Sequence, residues 1–189
     1  MTNDSELVKY GLKNVHVAIL NTETGEYGEP FAIPGAVSLT GEPKGDTTVF
    51  YADNRAYYTT SSNNGYEGDL EVALVPIKFD LEILKKELDA KNVVIEVDNP
   101  ETVYFAMMFE VNTDKKARRQ IYYRCTASRN GIDAKTTENS KEPQPEKLAF
   151  KAETMEYKGK YIAKGYTTES TDSEVYSNWY SKVYLPEFE

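Results

Sequence analysis

Apolar and polar residues alternate with a period of two along most of the chain, the pattern of strands that bury one face. In residues 13–20, Val15, Val17 and Ile19 fall on one face and His16, Ala18 and Leu20 on the other, before a polar turn at 21–25. Residues 67–75 set Leu70, Val72 and Leu74 against Glu67, Asp69 and Glu71, which predicts one core face and one wet, negative face. Residues 102–111 carry Val103, Phe105, Met107, Phe109 and Val111 opposite Tyr104, Ala106, Met108 and Glu110. Both faces of that strand are expected to be at least partly buried, as in a central strand. The polar stretch 112–116 separates it from residues 118–129, so the two are expected to form an antiparallel hairpin. Residues 134–138, 147–155 and 160–167 are further strand candidates, divided by Pro143-Gln144-Pro145 and by Lys158-Gly159.

Helical spacing occurs twice. After Pro76, the residues Ile77, Leu81, Leu84 and Leu88 form one apolar stripe, which predicts a helix over about 77–90. Asp80 stands as its N-cap, with Phe79 and Leu84 as a hydrophobic staple, and Asn92 as a left-handed closing residue. In residues 173–183, Val175, Trp179 and Val183 repeat every four positions beside Tyr176 and Tyr180, predicting a short C-terminal helix.

Residues 41–66 follow neither pattern for long. They hold three glycines, one proline, two aspartates and four tyrosines around a β-like piece at 47–51. Loops beyond about 12 to 15 residues are rare in compact domains unless functional or disordered, and so many aromatic rings oppose disorder. The segment is therefore expected to be an extended β-hairpin arm that reaches out of the domain and is ordered by a partner.

Composition removes several functions. The chain has 189 residues, 22 Lys plus Arg, 31 Asp plus Glu and a net charge of −9. That length suits one domain. A single cysteine, Cys125, excludes an internal disulfide, and a single histidine, His16, excludes a Cys/His zinc cluster. The acidity argues against clamping duplex phosphates. Residues 1–6 show no apolar run, so neither a signal peptide nor a membrane span is expected there, and the chain is expected in a cytoplasm. His16 lies among aliphatic residues with no recognisable nucleophile, so a structural role outweighs a catalytic one. Cys125 alternates with Ile121, Tyr123 and Ala127, as a small buried hydrophobe would. No nucleotide-binding or metalloprotease motif occurs. Asn3-Asp4-Ser5 matches a glycosylation acceptor, by chance where no secretion signal accompanies it. Lys115, Lys116, Arg118 and Arg119 form the one dense basic cluster, a solvated hairpin tip before it is a docking site for an acidic neighbour. Catalytic residues, cofactor and metal are accordingly expected to be none. The 15 tyrosines, beside 7 Phe and 1 Trp, are the surplus that remains, and such rings suit wide, wet contact surfaces.

Particular phrases carry a resemblance. The opening VKYGLKNV at 8–15, PGAVSL at 34–39, DNRAYY at 53–58, GYEGDLE at 65–71 and Asn178-Trp179-Tyr180 are together similar to the major tail proteins of long-tailed phages and prophages of Gram-positive bacteria. The similarity runs nearly the length of the chain in order. It is most specific in the first half, and beyond about residue 92 it rests on the strand pattern and on Pro143-Gln144-Pro145-Glu146. Two departures are Gly41, where the family commonly has a branched or hydrophobic residue, and a variant helix surface at 82–91.

The resemblance implies a mainly β, antiparallel sandwich- or barrel-like tail tube fold with one flanking helix (about 77–90), the long hairpin arm (about 41–66) and a short C-terminal helix. One domain would span 1–189, with an N-terminal arm at 1–12 and a C-terminal segment at 168–189. Such subunits stack as hexameric rings around a tape-measure protein, between tail-tip or baseplate and tail-terminator proteins, and DNA later transits the lumen without specific binding. The location implied is the virion tail, with assembly in the host cytoplasm and no membrane. Phe50, Tyr51, Asp53, Asn54, Arg55, Tyr57, Tyr58 and Tyr66 are then the inter-subunit arm residues, and Glu67, Asp69 and Glu71 the candidate lumen face. The rival classes are a non-enzymatic β-sandwich binding or adhesion module and a β-sandwich enzyme, for which no acid/base or metal set is found.

Overall fold

The computed structural model describes residues 8–98, 101–132, 134–136 and 143–188. The chain is mainly β, with 47% strand and 6% helix, and all its strand pairs are antiparallel, as the alternating pattern predicts. The first strands are β1 (Lys9–Ile19), β2 (Phe31–Ala32), β3 (Ala36–Leu39), β4 (Glu42–Pro43), β5 (Thr47–Ala52), β6 (Arg55–Ser61) and β7 (Tyr66–Val72). Helix α1 (Ile77–Glu82) leads to β8 (Glu87–Leu88), β9 (Val94–Ile95), β10 (Phe105–Thr113) and β11 (Arg118–Ala127). The remainder is β12 (Glu146–Glu153), β13 (Met155–Tyr157), β14 (Lys160–Ile162), β15 (Lys164–Tyr166) and α2 (Ser173–Ser177).

Nine strands make one sheet in the order β2-β1-β10-β11-β12-β7-β3, with β15 joined to β11 and β4 to β7. The two ends of that order are neighbours in sequence. Ile33 N–H, just past β2, donates to Val15 O of β1 at 2.8 Å, and Ala73 N–H, just past β7, donates to Gly35 O at 2.8 Å. Residues 33–35 thus tie the two sheet edges together and curl the sheet around its core. Inside lie Val15, Val17, Leu70, Val72, Phe105, Met107, Phe109, Tyr122, Leu148 and Phe150. The outer face of β1, β10 and β11 carries a second apolar cluster of Ala18, Ala106, Met108, Ile121 and Tyr123, covered by Trp179 and Val183. Both faces of β10 are buried, as its sequence predicts.

One strand changes phase midway. Met107 pairs with Tyr122 but Phe105 pairs with Cys125, so β11 holds one extra residue at 123–124. A bulge of this kind reverses the alternation. Tyr122 and Cys125 therefore both face the inner core, whereas Ile121 and Tyr123 face outward. Cys125 is fully buried, as expected, but not on the face of Ile121 and Tyr123 that strict alternation assigned it. The sheet forks at the same place: residues 120–122 of β11 pair with β15, and residues 124–127 pair with β12.

The helix after Pro76 is shorter than expected and turned the other way. It ends at Glu82, its N-cap is Pro76, and Asp80 lies in its first turn. Phe79 and Ile83 are buried, Phe79 meeting Phe105 edge-on at 5.9 Å, whereas Ile77 and Leu88 are exposed. Phe79 is thus a core residue within the helix and not an N′ staple. Lys85, at φ 55, turns the chain out of the helix, and β8 and β9 then pair as a hairpin. Asn92 is left-handed, φ 63, but at that hairpin's turn. Leu74 is also exposed, because β7 ends at Val72 before the expected alternation is complete.

Of the strand expected at 134–138, residues 134–136 are not strand and 137–138 lie outside the described residues, as does Asn3-Asp4-Ser5. Gln144 takes a strand's place there: its amide accepts from Lys135 N–H at 2.8 Å and donates to Lys135 O at 3.0 Å. Helix α2 begins at Asp172, whose carboxylate accepts from Glu174 and Val175 N–H groups, satisfying two donors of the first turn. It stops at Ser177, short of the expected 183, yet the stripe through Trp179 and Val183 does face inward.

Candidate assembly surface

Strands β5 and β6 form a separate two-stranded sheet that, among the described residues, joins no other strand. Asp53 and Asn54 connect them, both with positive φ (52 and 57), the geometry of a tight type I′ turn that matches strand twist. The hairpin is rooted on the main sheet: β4 pairs with β7, Lys44 N–H donates to Gly65 O, and Asn64 N–H donates to Lys44 O, both at 2.8 Å. Gly65, at φ 85, passes so near β12 that a Cβ would lie 2.0 Å from Ala152 O. Gly41 has a similar reason to lack a side chain, since a Cβ there would come 2.7 Å from the Tyr122 hydroxyl. Its missing side chain therefore gives Tyr122 room at the base of the arm.

On the arm, Phe50, Tyr51, Tyr57 and Tyr58 are each 59–69% exposed. Phe50 and Tyr58 pair directly across the strands, so their rings share a face, and the register shifts by one residue just beyond them. A lone two-stranded hairpin is marginally stable in water, and four exposed rings spread over its two faces are apolar surface of the kind that marks a contact site. Asp53, Asn54 and Arg55 form its tip. Tyr66 does not belong to the arm: it lies in β7, half-buried, with its ring 5.2 Å from that of Tyr122.

The outer face of β7 carries Glu67, Asp69 and Glu71, alternating with inward Leu70 and Val72 as expected. These acids stand beside lysines of neighbouring strands. Register places Lys147 opposite Glu71 and Lys151 opposite Glu67 on β12. Lys147 Nζ is 2.9 Å from Asp69 Oδ2, Lys44 Nζ is 3.9 Å from Glu67 Oε2, and Ser38 Oγ donates to Glu71 Oε2 at 2.8 Å. The hydrogen bond and charge of Asp69 raise the Lys147 ammonium above its usual pKa. The three lysines offset part of this charge, but Glu42, paired opposite Glu67 and 3.7 Å from Lys44, and Glu153, 3.7 Å from Lys151, keep the acids in excess. Period-two alternation identifies a wet face but is silent on which strand lies beside it.

The basic cluster is engaged within its own chain. Lys116 Nζ and the Arg119 guanidinium both lie 3.9 Å from the Tyr176 ring centre, Arg118 covers Tyr166 at 4.9 Å, and Lys115 is 3.6 Å from Glu169. Arg119 also donates to Tyr176 O, and Tyr176 Oη donates to Ala117 O at 2.9 Å. The basic hairpin end thus fastens the C-terminal segment of the same chain. His16 is on the outer face beside it, its Nδ1 3.0 Å from Asn14 O and its ring 4.6 Å from Tyr180.

Among the described residues, no three His, Cys, Asp or Glu side chains are grouped to hold a metal ion, and no helix is long and apolar enough to cross a membrane. Compared with known protein families and with curated proteins, the chain matches no family model and no curated sequence.

Proposed function

We propose that the chain is a non-enzymatic tail tube subunit, a structural virion protein that polymerises as stacked hexameric rings. The observation that carries this reading is the free-standing hairpin with Phe50, Tyr51, Tyr57 and Tyr58 in solvent. Rings of identical subunits give such a surface a partner that is always present, namely the next copy, and closed symmetry limits the growth of unpaired strand edges. The ordered phrases shared with phage major tail proteins support the same assignment. Partners by that resemblance are the tape-measure protein within the tube, tail-tip or baseplate proteins at one end and a terminator at the other. Assembly would take place in the host cytoplasm, and the assembled form would belong to the virion.

DNA passage follows from the same proposal. A surface that conducts duplex DNA has to lack rows of ammonium groups that hold phosphates. The β7–β12 face, in which Glu42, Glu67, Asp69, Glu71 and Glu153 interleave with Lys44, Lys147 and Lys151, supports a lining whose acids outnumber its lysines.

The exposed tyrosines also favour a second reading, a monomeric binding or adhesion module, because Tyr supplies rigid amphipathic contact area at low entropic cost. Electron microscopy of the full chain over a range of high concentrations separates the two. Rings or smooth tubes of uniform bore support the tail tube; a strict monomer, with or without a tape-measure protein, contradicts it.

A further inference from the structure

Lys86 leaves α1 on its way into β8, and Asn130 follows β11, 44 residues later in sequence. Their side chains meet: Lys86 Nζ lies 3.3 Å from Asn130 Oδ1. The same Nζ is 2.8 Å from Asp80 Oδ1, with the Lys86 and Asp80 side chains only 13% and 16% exposed. Asp80 Oδ1 is itself shut off from solvent, and the ammonium is its close polar neighbour. An amine, a primary carboxamide and a carboxylate thereby meet, partly buried, beside a helix that Phe79 anchors in the core, with Ile83 buried just past its end.

We propose that these three residues form a self-generated isopeptide bond between Lys86 and Asn130, with Asp80 moving the proton. The carboxylate takes a proton from the Lys86 ammonium, and the freed amine attacks Cγ of Asn130. Asp80 then returns that proton to the departing amide nitrogen. One Nζ–Cγ bond forms and one Cγ–Nδ2 bond breaks, and ammonia leaves as ammonium with the second proton that Nζ gives up on becoming an amide N–H. No oxidant, reductant or second substrate is required, and the chain loses one positive charge.

Proximity is the chief requirement, because holding nucleophile and carbonyl in contact makes the step unimolecular. Partial burial reduces competition from water. The resulting tie joins the α1–β8 segment to the chain leaving β11. It closes a loop that otherwise opens on unfolding, as a disulfide would, in a chain whose one cysteine is buried and unpaired.

The test is the intact mass of the full, folded chain after storage, followed by tryptic peptide mapping. The expected mass is lower than the sequence requires by one ammonia, with no cleavage after Lys86 and one branched peptide containing Lys86 and Asn130. Lys86→Arg, which retains a cation beside Asp80, and Asn130→Ala are both expected to show neither. Asp80→Asn is expected to slow bond formation at least tenfold; a rate equal to the parent's overturns the role given to Asp80. The full sequence mass, with Lys86 cleaved and Asn130 intact, overturns the bond. So does an ammonia loss that persists in Lys86→Arg, since that comes from backbone ring closure at Asn130-Gly131.

Discussion

Arg119 Nε lies 3.0 Å from Glu110 Oε2, and Glu110 is 5% exposed, which makes this pair the buried charged contact beneath the C-terminal segment. Through the same guanidinium the pair reaches Tyr176 and Tyr180, 3.9 and 5.0 Å away. Removing one partner strands a charge beneath an apolar cover. Glu110→Ala is expected to destabilise the fold by about 2 to 4 kcal/mol, and the double change Glu110→Met, Arg119→Leu by clearly less. Urea denaturation measures both. The emission of Trp179, the single tryptophan, reports whether the C-terminal segment has come loose.

Cys125 offers a check on the bulge. It is fully buried, and burial pushes its thiol well above the usual range. A thiol reagent at pH 8 is expected to modify it at the rate of unfolding, slower by at least a hundredfold than in urea. Fast labelling of the folded chain would show that β11 does not turn Cys125 inward.

Alkaline pH is expected to unfold the protein. Burial raises the Tyr122 hydroxyl to about 12, with Tyr66 and Cys125 adding to the shift. Burial likewise pushes Tyr27, Tyr123 and Tyr180 above the ordinary tyrosine value. A raised folded-state pKa means the unfolded chain loses its protons first, so this stability is complete below about pH 10 and lost as pH rises toward 12. Urea midpoints at pH 8, 10 and 11 are expected to fall in that order, the loss being smaller in Tyr122→Phe.

The β7–β12 face makes a separate prediction. Exposed ion pairs contribute little, so Asp69→Asn is expected to cost under about 1 kcal/mol in urea denaturation. Asp69→Cys, labelled with maleimide, then reports enclosure. Labelling is expected to slow at least tenfold in assembled tubes against free subunits; equal rates would mean the face is not the lumen.

Much of the fold is legible in the sequence because burying one face of a strand forces alternation. Val15 and Val17, Leu70 and Val72, and Phe105 to Phe109 follow from that rule. Two errors and one omission have specific causes. After Pro76 two apolar stripes overlap, and Phe79 with Ile83 reaches the core where Ile77 with Leu81 does not. At β11 one inserted residue shifts the phase of every position beyond it, a long-range fact set by pairing with β10 and β15. The charge balance beside Glu67, Asp69 and Glu71 depends on β12, which lies some 80 residues along the chain. Lys86 and Asn130 are separated in the same way, so no local spacing announces their contact.

The central claim is that the aromatic hairpin joins one copy to the next, and replacing its four rings tests this most directly. Sedimentation velocity and electron microscopy would compare the parent chain with Phe50→Thr, Tyr51→Thr, Tyr57→Thr, Tyr58→Thr combined. The parent is expected to form rings or tubes as concentration rises, while the variant stays a monomer with an unchanged cooperative melting transition. A variant that assembles as readily as the parent would contradict the claim.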